Sequence, residues 1–551
     1  MNPLAKALRF WHTVRHLKPV QVYGRARFRL SNPLPDLRPA PERRTLAGGW
    51  SMPAHREPSM KSPTLLFFLD EERDLAVHGW DDPALAKLWR YHQHYFDDLT
   101  AFGAASRTAW HRALISRWIH ECPPGVGTAW EPYPTSLRVV NWIKWLCAGN
   151  APVDGMLESM AVQVRHLSKR LEWHLLGNHL FVNAKALVIA GSFFEGAEAD
   201  AWRALGWRIL RAEIFEQILQ DGMQFERSPM YHALATEDML DLLNAFNAWP
   251  GTVLERDREH VVETIALMRR SLAVVCHPDG GVAHFNDSVS GVAPTSTELE
   301  GYAGRLGLPP TAELINGVMQ LPDAGYVRVQ RGDAVAILDI GEVGPDYLPG
   351  HAHADTLSFE LSLGGKRVLV NSGISQYGLG PERIRQRGTP AHNTVAVRGL
   401  DSSEVWGGFR VARRAKIVSR RVVSQTDGAF IEAAHDGYLR LAGGGLHRRR
   451  WTFRNDVLEV EDEAQPWAES ASHWHFAPGF ELSLSADGRT LRASDGARTI
   501  SLTADGADWQ VSRSTYFPRF GVSLPNQKAV ARFTGPAPHF RIEWSTCTSS
   551  S

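Results

Sequence analysis

The chain has 551 residues, too many for one ordinary domain, so two or three are expected. Apolar residues make up 44% and charged residues 22%, the balance of a globular protein. With 60 Lys+Arg against 60 Asp+Glu there is no global field of the kind that gathers nucleic acid or an anionic surface. No stretch reaches the roughly 18 apolar residues needed to span a bilayer, so nucleic acid and a transmembrane segment are both excluded from the reading.

Residues 1–70 form a basic, Pro-rich lead-in, with Pro33-Leu34-Pro35 and Pro39-Ala40-Pro41. A short amphipathic helix followed by extended chain is expected there. Basic residues recur too often for an apolar run of seven to form, so no signal peptide is read. The expected location is the cytoplasm, with the periplasm as the alternative. The four cysteines (Cys122, Cys147, Cys276, Cys547) are scattered and fit reduced thiols.

Residues 71–318 are expected to be helical. The segments 83–94, 106–120, 135–147, 155–173, 178–191, 199–219, 231–248 and 256–275 carry apolar residues three and four apart, separated by Gly, Pro or Asp. So many consecutive helices with short loops suggest pairs wrapped into a toroid or solenoid. Near Leu321-Pro322-Asp323 the period changes from 3.6 to 2, and short strands with Gly, Asp and Asn turns recur through 319–551, the signature of an antiparallel sandwich. The fold class is multidomain α+β, helices first and sheets after.

His351-Ala352-His353-Ala354-Asp355 runs into the alternating Leu357-Ser358-Phe359-Glu360-Leu361. Side chains two apart share a face of a strand, so a strand reaching back to His351 would project both imidazoles and the carboxylate together. Such a trio suits metal binding or proton transfer, or a hydrogen-bonded polar cluster at a strand end. In Gly177-Asn178-His179, Asn178 is an N-cap candidate, and the Asn-His pair at a helix N-terminus also supplies donors for a carboxylate.

Ser228-Pro229 reads as an N-cap followed by Pro at the first helical position, with Tyr231 in the first turn. There the dipole is expected to lower the phenol below its usual value of about 10, unless Tyr231 is packed between helices. The Trp130–Arg138 loop suits either an anionic sugar groove or rigid packing. Arg383, Arg385 and Arg387 precede His392, a cationic loop that suits an acidic substrate or simply solvent.

Taken in order, Asn178-His179, Tyr231 after Glu226, the H-x-H-A-D run with its Ser358-Phe359 strand, and His392-Asn393-Thr394 resemble the heparinase II/III family of polysaccharide lyases, alginate-lyase-like members included. The resemblance covers roughly residues 70–480. It implies an N-terminal incomplete (α/α) toroid followed by an antiparallel β-sandwich domain. It also implies β-elimination across the glycosidic bond of an acidic, uronate-containing polysaccharide.

The chemistry accounts for the residue types. The proton α to a uronate carboxylate leaves only when the carboxylate charge is neutralised, a task the resemblance gives to Asn178 and His179. It makes Tyr231 the acid, and the base where geometry permits. His351 becomes the second proton-transfer residue and Tyr377 a further candidate. Glu226 and Arg387 would position groups, while Arg138 and Trp130 would line the substrate groove.

No cofactor is required. Several family members hold zinc in the sheet domain at positions corresponding to His353, Asn371 and His392. Asn371 departs from the carboxylate expected there, and a neutral amide is a poor zinc ligand. Either Asp355 substitutes or the histidines form a structural network.

Two other readings stand beside the lyase. One is a glycoside hydrolase using a carboxylate pair such as Glu226 with Asp355 or Glu131. The other is a non-catalytic glycan-binding protein. The expected absence of a leader suggests a role in exopolysaccharide metabolism.

Overall fold

A computed structural model describes residues 3–454 and 456–544; Cys547 lies outside them. Helices occupy the chain up to Arg305 and strands dominate from Gly317. The exceptions are a two-stranded ribbon (Leu65–Phe68 with Glu71–Asp74) and the short helix Pro381–Arg387. The lead-in holds two helices, Pro3–Val14 and Pro19–Leu30, where one was expected.

The helical part is built in two layers. Pro132–Cys147, Gly177–Phe193 and Pro229–Ala248 are buried around most of their circumference and form the inner layer. Thr108–Glu121, Ala197–Gln217 and Glu255–Val274 bury one stripe each and lie outside, while Met156–Lys169 is buried all round over residues 160–167. Glycines set the closest inter-layer approach. A Cβ on Gly206 would stand 2.6 Å from the Ala184 carbonyl oxygen, and one on Gly191 would stand 2.5 Å from that of Ala199. Trp118 and Phe96 meet the ring of Trp142 edge-on at 5.5 and 5.4 Å, and Trp118, Trp142, Trp145 and Trp249, four of the chain's 19 tryptophans, are fully buried core residues.

The strands form a sandwich. A five-stranded antiparallel sheet runs in sequence order from Gly317–Leu321 to Lys366–Leu369. A Leu369–Phe476 bridge joins it to a four-stranded sheet containing Val395–Val397 and Ser470–His475. An eight-stranded sheet covers the other side, and Phe359 packs edge-on against Trp451 and Trp474 between the layers.

The strand expected from His351 begins only at Phe359. Residues 351–358 are irregular, and Leu357 turns the chain with φ 63°. The pleat therefore does not align His351, His353 and Asp355. Arg387, fully buried, holds this loop by donating to the Ala352 carbonyl at 2.8 and 3.1 Å, while the Ala354 N–H donates back to the Arg387 carbonyl.

Candidate active site

A cleft of about 880 Å³ lies between the inner helices and the loops of the sandwich that carry His351, Tyr377, Phe409 and Phe520. Asn178, His179, Tyr231, His351 and Tyr377 all line it. The polar aromatic lining is tyrosine: Tyr91, Tyr95 and Tyr133 as well as Tyr231 and Tyr377. No tryptophan faces it.

Asn178 is not the N-cap. The helix starts at Gly177 after Leu176, both with positive φ (54° and 61°), and Asn178 sits in the first turn. A Cβ on Gly177 would fall 2.3 Å from Leu348 Cδ2, so with its positive φ glycine eases this tight entry, and a larger residue would have to push the Leu348 side chain aside. The entry aims Asn178 and His179 at the cleft, with the helix dipole favouring negative charge in front of them. His179 Nδ1 lies 3.2 Å from Glu172. Burial alone would lower the imidazole's pKa, but Glu172 raises it, which favours the cationic form.

Ser228 caps the next inner helix, its Oγ accepting the Tyr231 N–H at 3.2 Å, with Pro229 at the first position as expected. The titration of Tyr231 differs from expectation. Burial, then the neighbouring Tyr377, push its phenol well above 10, because desolvating a phenolate outweighs the dipole of one helix end. Tyr231 is therefore a neutral hydroxyl at rest. Its Oη lies 3.0 Å from that of Tyr377, and its ring packs against His351, centroids 3.9 Å apart and planes tilted by 31°.

Behind His351 stands Asp287, which sequence reasoning missed. His351 Nδ1–H donates to Asp287 Oδ2 at 2.9 Å, and His353 Nε2–H donates to Oδ1 at 2.8 Å. Arg383 grips both oxygens and lies over the ring of Tyr377 at 5.0 Å. Burial would raise the Asp287 carboxyl, but Arg383 and the two imidazoles hold it well below the usual range. The bond to Asp287 engages His351 Nδ1 and leaves Nε2 as the nitrogen that faces the cleft, the orientation a general base needs. Nothing local marks Asn286-Asp287-Ser288; only the fold brings it under His351.

The other expected site residues do not reach the cleft. Arg138 is fully buried, bonded to Gln163 and to the carbonyls of His94 and Ala129, and stacked on Trp118 at 3.9 Å. Burial lowers its guanidinium to about 9. Trp130 is core, with Nε1–H donating to the Cys122 carbonyl. Arg387 braces the loop described above rather than a substrate. Glu226 is 2% exposed and stands one layer behind the wall, 3.9 Å from His351 Nε2. Neither it nor Asp355 lines the cleft, so neither supplies the proposed hydrolytic pair.

The carboxylates that do line the deep end are matched by cations: Glu237 by Arg56 at 2.6 Å, and Asp241 by Lys144 at 2.7 Å and Lys185 at 2.8 Å. Burial, offset by Arg56 and Lys144, leaves Glu237 lowered to about 2. Asp238 shares Lys185 with Asp241.

Asn371 Oδ1 accepts the Asn393 N–H at 3.3 Å. Asp355 does lie with the histidines: donor atoms of His353, Asp355 and His392, all buried, lie within 4.8 Å of one another. His353 Nδ1 and His392 Nε2 are 3.3 Å apart. Two nitrogens about 2.0–2.1 Å from one tetrahedral zinc stand roughly that far apart. Asp287 on the far nitrogen of His353 is the outer carboxylate such a ligand needs. The set fits zinc, which would cross-link the 351–355 loop to the turn at His392.

Two family models match, "Heparinase II/III N-terminus" over residues 94–303 and "Heparinase II/III-like, C-terminal" over 316–545. Among characterised relatives, the heparin-sulfate lyase of Pedobacter heparinus is 29% identical over 248 residues, 40% of this chain and 36% of that protein. That of Bacteroides thetaiotaomicron is 28% identical over 356 residues, 56% of this chain and 50% of that protein. The aligned part thus spans a third to a half of those relatives.

A crystal structure of heparinase III superposes with TM-score 0.66 at 19% identity, covering 84% of this chain and 78% of that one. The heparan sulfate lyase structure from Pedobacter heparinus gives 0.57 at 18%, covering 99% and 89%. These last two are likenesses of fold, a helical domain followed by a sandwich. With its helical part and its sheet part each matched by the corresponding family model, the chain belongs to the heparinase II/III family.

Proposed function

We propose that the chain is a polysaccharide lyase that cleaves a uronate-containing acidic polysaccharide by β-elimination. The carrying observation is one cleft lined by a neutral Tyr231 hydroxyl, the free Nε2 of His351 oriented by Asp287, and the Asn178-His179 pair at a helix N-terminus. The pair takes the uronate carboxylate and neutralises it as the carbanion develops. A base removes the C5 proton, the electron pair forms the C4–C5 double bond, and the C4–O4 bond breaks. An acid then delivers a proton to O4. His351 Nε2 suits the first task and Tyr231, with Tyr377 beside it, the second.

The relatives' name, heparin-sulfate lyase, favours a glycosaminoglycan over alginate as the substrate class. A role on a bacterium's own exopolysaccharide, inside the cell, goes with the same chemistry. No cofactor enters a step; the zinc-type cluster acts on loop structure. The hydrolase reading is weaker because Glu237, Asp238 and Asp241 on the cleft wall are each tied to lysine or arginine, and Asp97 beside them is held by the Asn141 amide.

The test is ultraviolet absorbance of the unsaturated uronate over a panel of glycosaminoglycans, alginates and bacterial exopolysaccharides. A rise with one polymer, abolished by Tyr231→Phe and His351→Ala, is expected. New reducing ends without absorbance would replace the lyase with a hydrolase.

A further inference from the structure

The N-terminal helix Pro3–Val14 is turned inside out. Its inward stripe is polar: Arg9 lies over the Trp406 ring at 4.9 Å, Thr13 Oγ1 accepts the Trp406 N–H at 3.0 Å, and His16, just past the helix end, lies 3.7 Å from Asp346. No residue of this helix is buried. Leu8, Phe10 and Trp11 point away from the protein, 45%, 54% and 59% exposed. A helix normally turns its apolar stripe to its own core. Here that stripe faces out and is available to a second surface.

The charge around it names that surface. Residues 1–35 contain seven Lys and Arg (Lys6, Arg9, Arg15, Lys18, Arg25, Arg27, Arg29) and no Asp or Glu, a local excess hidden by the chain's neutral total. Lys6, Arg25, Arg27 and Arg29 are exposed, and none is ion-paired with a carboxylate of the described residues. The second helix, Pro19–Leu30, is anchored through Gly24, whose missing Cβ lets the backbone of Trp173 and His174 approach, and through Phe28 against His174 at 4.2 Å. It presents Val22, Tyr23 and Leu30 outward beside its arginines. Beneath the first helix, a cavity of about 290 Å³ gathers Arg15, Arg413, Arg414 and Lys416 against Asp346 and Asp436.

We propose that residues 3–30 are a docking surface for an anionic lipid membrane. The apolar stripe and the aromatic rings of Trp11 and Tyr23 enter the interface, and the lysines and arginines meet the headgroups. A sugar ring could stack on Trp11 or Phe10, but a stripe that also carries Leu8 beside exposed lysines and arginines matches the acyl and headgroup layers of an anionic bilayer. The chain would lie on the membrane; no described helix is long and apolar enough to cross one.

The test is co-sedimentation of the full chain with vesicles of phosphatidylglycerol in phosphatidylcholine, against phosphatidylcholine alone. Binding to the anionic vesicles is expected, weakened by high salt, with the partition coefficient reduced at least about tenfold in Leu8→Ser/Phe10→Ser/Trp11→Ser. A separate Arg25→Gln/Arg27→Gln/Arg29→Gln variant should weaken binding through charge alone. All six side chains are exposed, so an unchanged Tm verifies folding. Equal binding to both vesicle types, or none, overturns the proposal. So does a concentration-dependent dimer that the serine variant dissolves, which would make the stripe a contact between copies of the chain.

Discussion

Asp287 accepts the Nδ1–H of His351 at 2.9 Å from a position 64 residues upstream in the chain. That single bond sets the tautomer of the imidazole and turns its other nitrogen towards the cleft. Asp287 is a positioning residue, since it touches His351 and not the cleft wall.

Replacing His351 by Ala should lower kcat/KM by about 10²–10⁴-fold, the usual worth of a general base. Added imidazole should restore part of the rate, and should not rescue Tyr231→Phe. Asp287→Asn should lower kcat with little change in KM. It also leaves Arg383 buried without its counter-charge, so a fall in Tm equivalent to about 3–5 kcal/mol is expected alongside. Kinetics and thermal melts separate the two effects.

Tyr377→Phe removes the hydroxyl 3.0 Å from that of Tyr231 and keeps the ring against Phe520 and Phe409. With one hydrogen bond lost to a neutral group, about 1–2 kcal/mol, the rate should fall roughly tenfold. Tyr231→Phe should cost far more. Equal losses in the two variants would make Tyr377 the proton donor.

Acid stability should depend on Asp98. Burial would raise its carboxyl, but His111 and Arg107 side chains and the Met60 N–H pull it down to about 2 from the usual 3.8. A depressed folded-state pKa stabilises above the unfolded value, and the contribution is lost as pH falls from about 4 through about 2. Urea titrations across that window should show stability falling. Asp98→Asn should lower stability at neutral pH by about 2 kcal/mol and flatten the fall.

Metal analysis after purification with zinc should find one ion per chain, absent from His392→Ala and Asp355→Asn. Chelation should lower Tm, because the cluster ties two loops of the sandwich together. Tyr231→Phe should retain the ion, as Tyr231 is no part of that donor set.

Much of the fold was legible because local periodicity carries it. The expected helices at 135–147, 178–191 and 231–248 appear as Pro132–Cys147, Gly177–Phe193 and Pro229–Ala248, and the change of period near Leu321 marks the onset of the sheets. The Ser228-Pro229 start held because capping is a contact between neighbours in sequence. Arg138 and Trp130 misled because an arginine beside aromatic residues looks the same whether it faces a sugar or a sealed core. His351, His353 and Asp355 do converge, but through a loop pinned by Arg387 and not through a strand.

By itself the sequence determined the element types, their order, the family and the residues Asn178, His179, Tyr231, His351 and Tyr377 as candidates. The elements follow from spacing within a few residues; the family and these candidates follow from the resemblance carried by the ordered motifs. Only the tertiary structure decided that Asp287 orients His351, that Asp355 lies within ligand reach of His353 and His392, and that Tyr231 rests protonated. Those outcomes depend on burial and on contacts between residues tens of positions apart, and no local pattern encodes either.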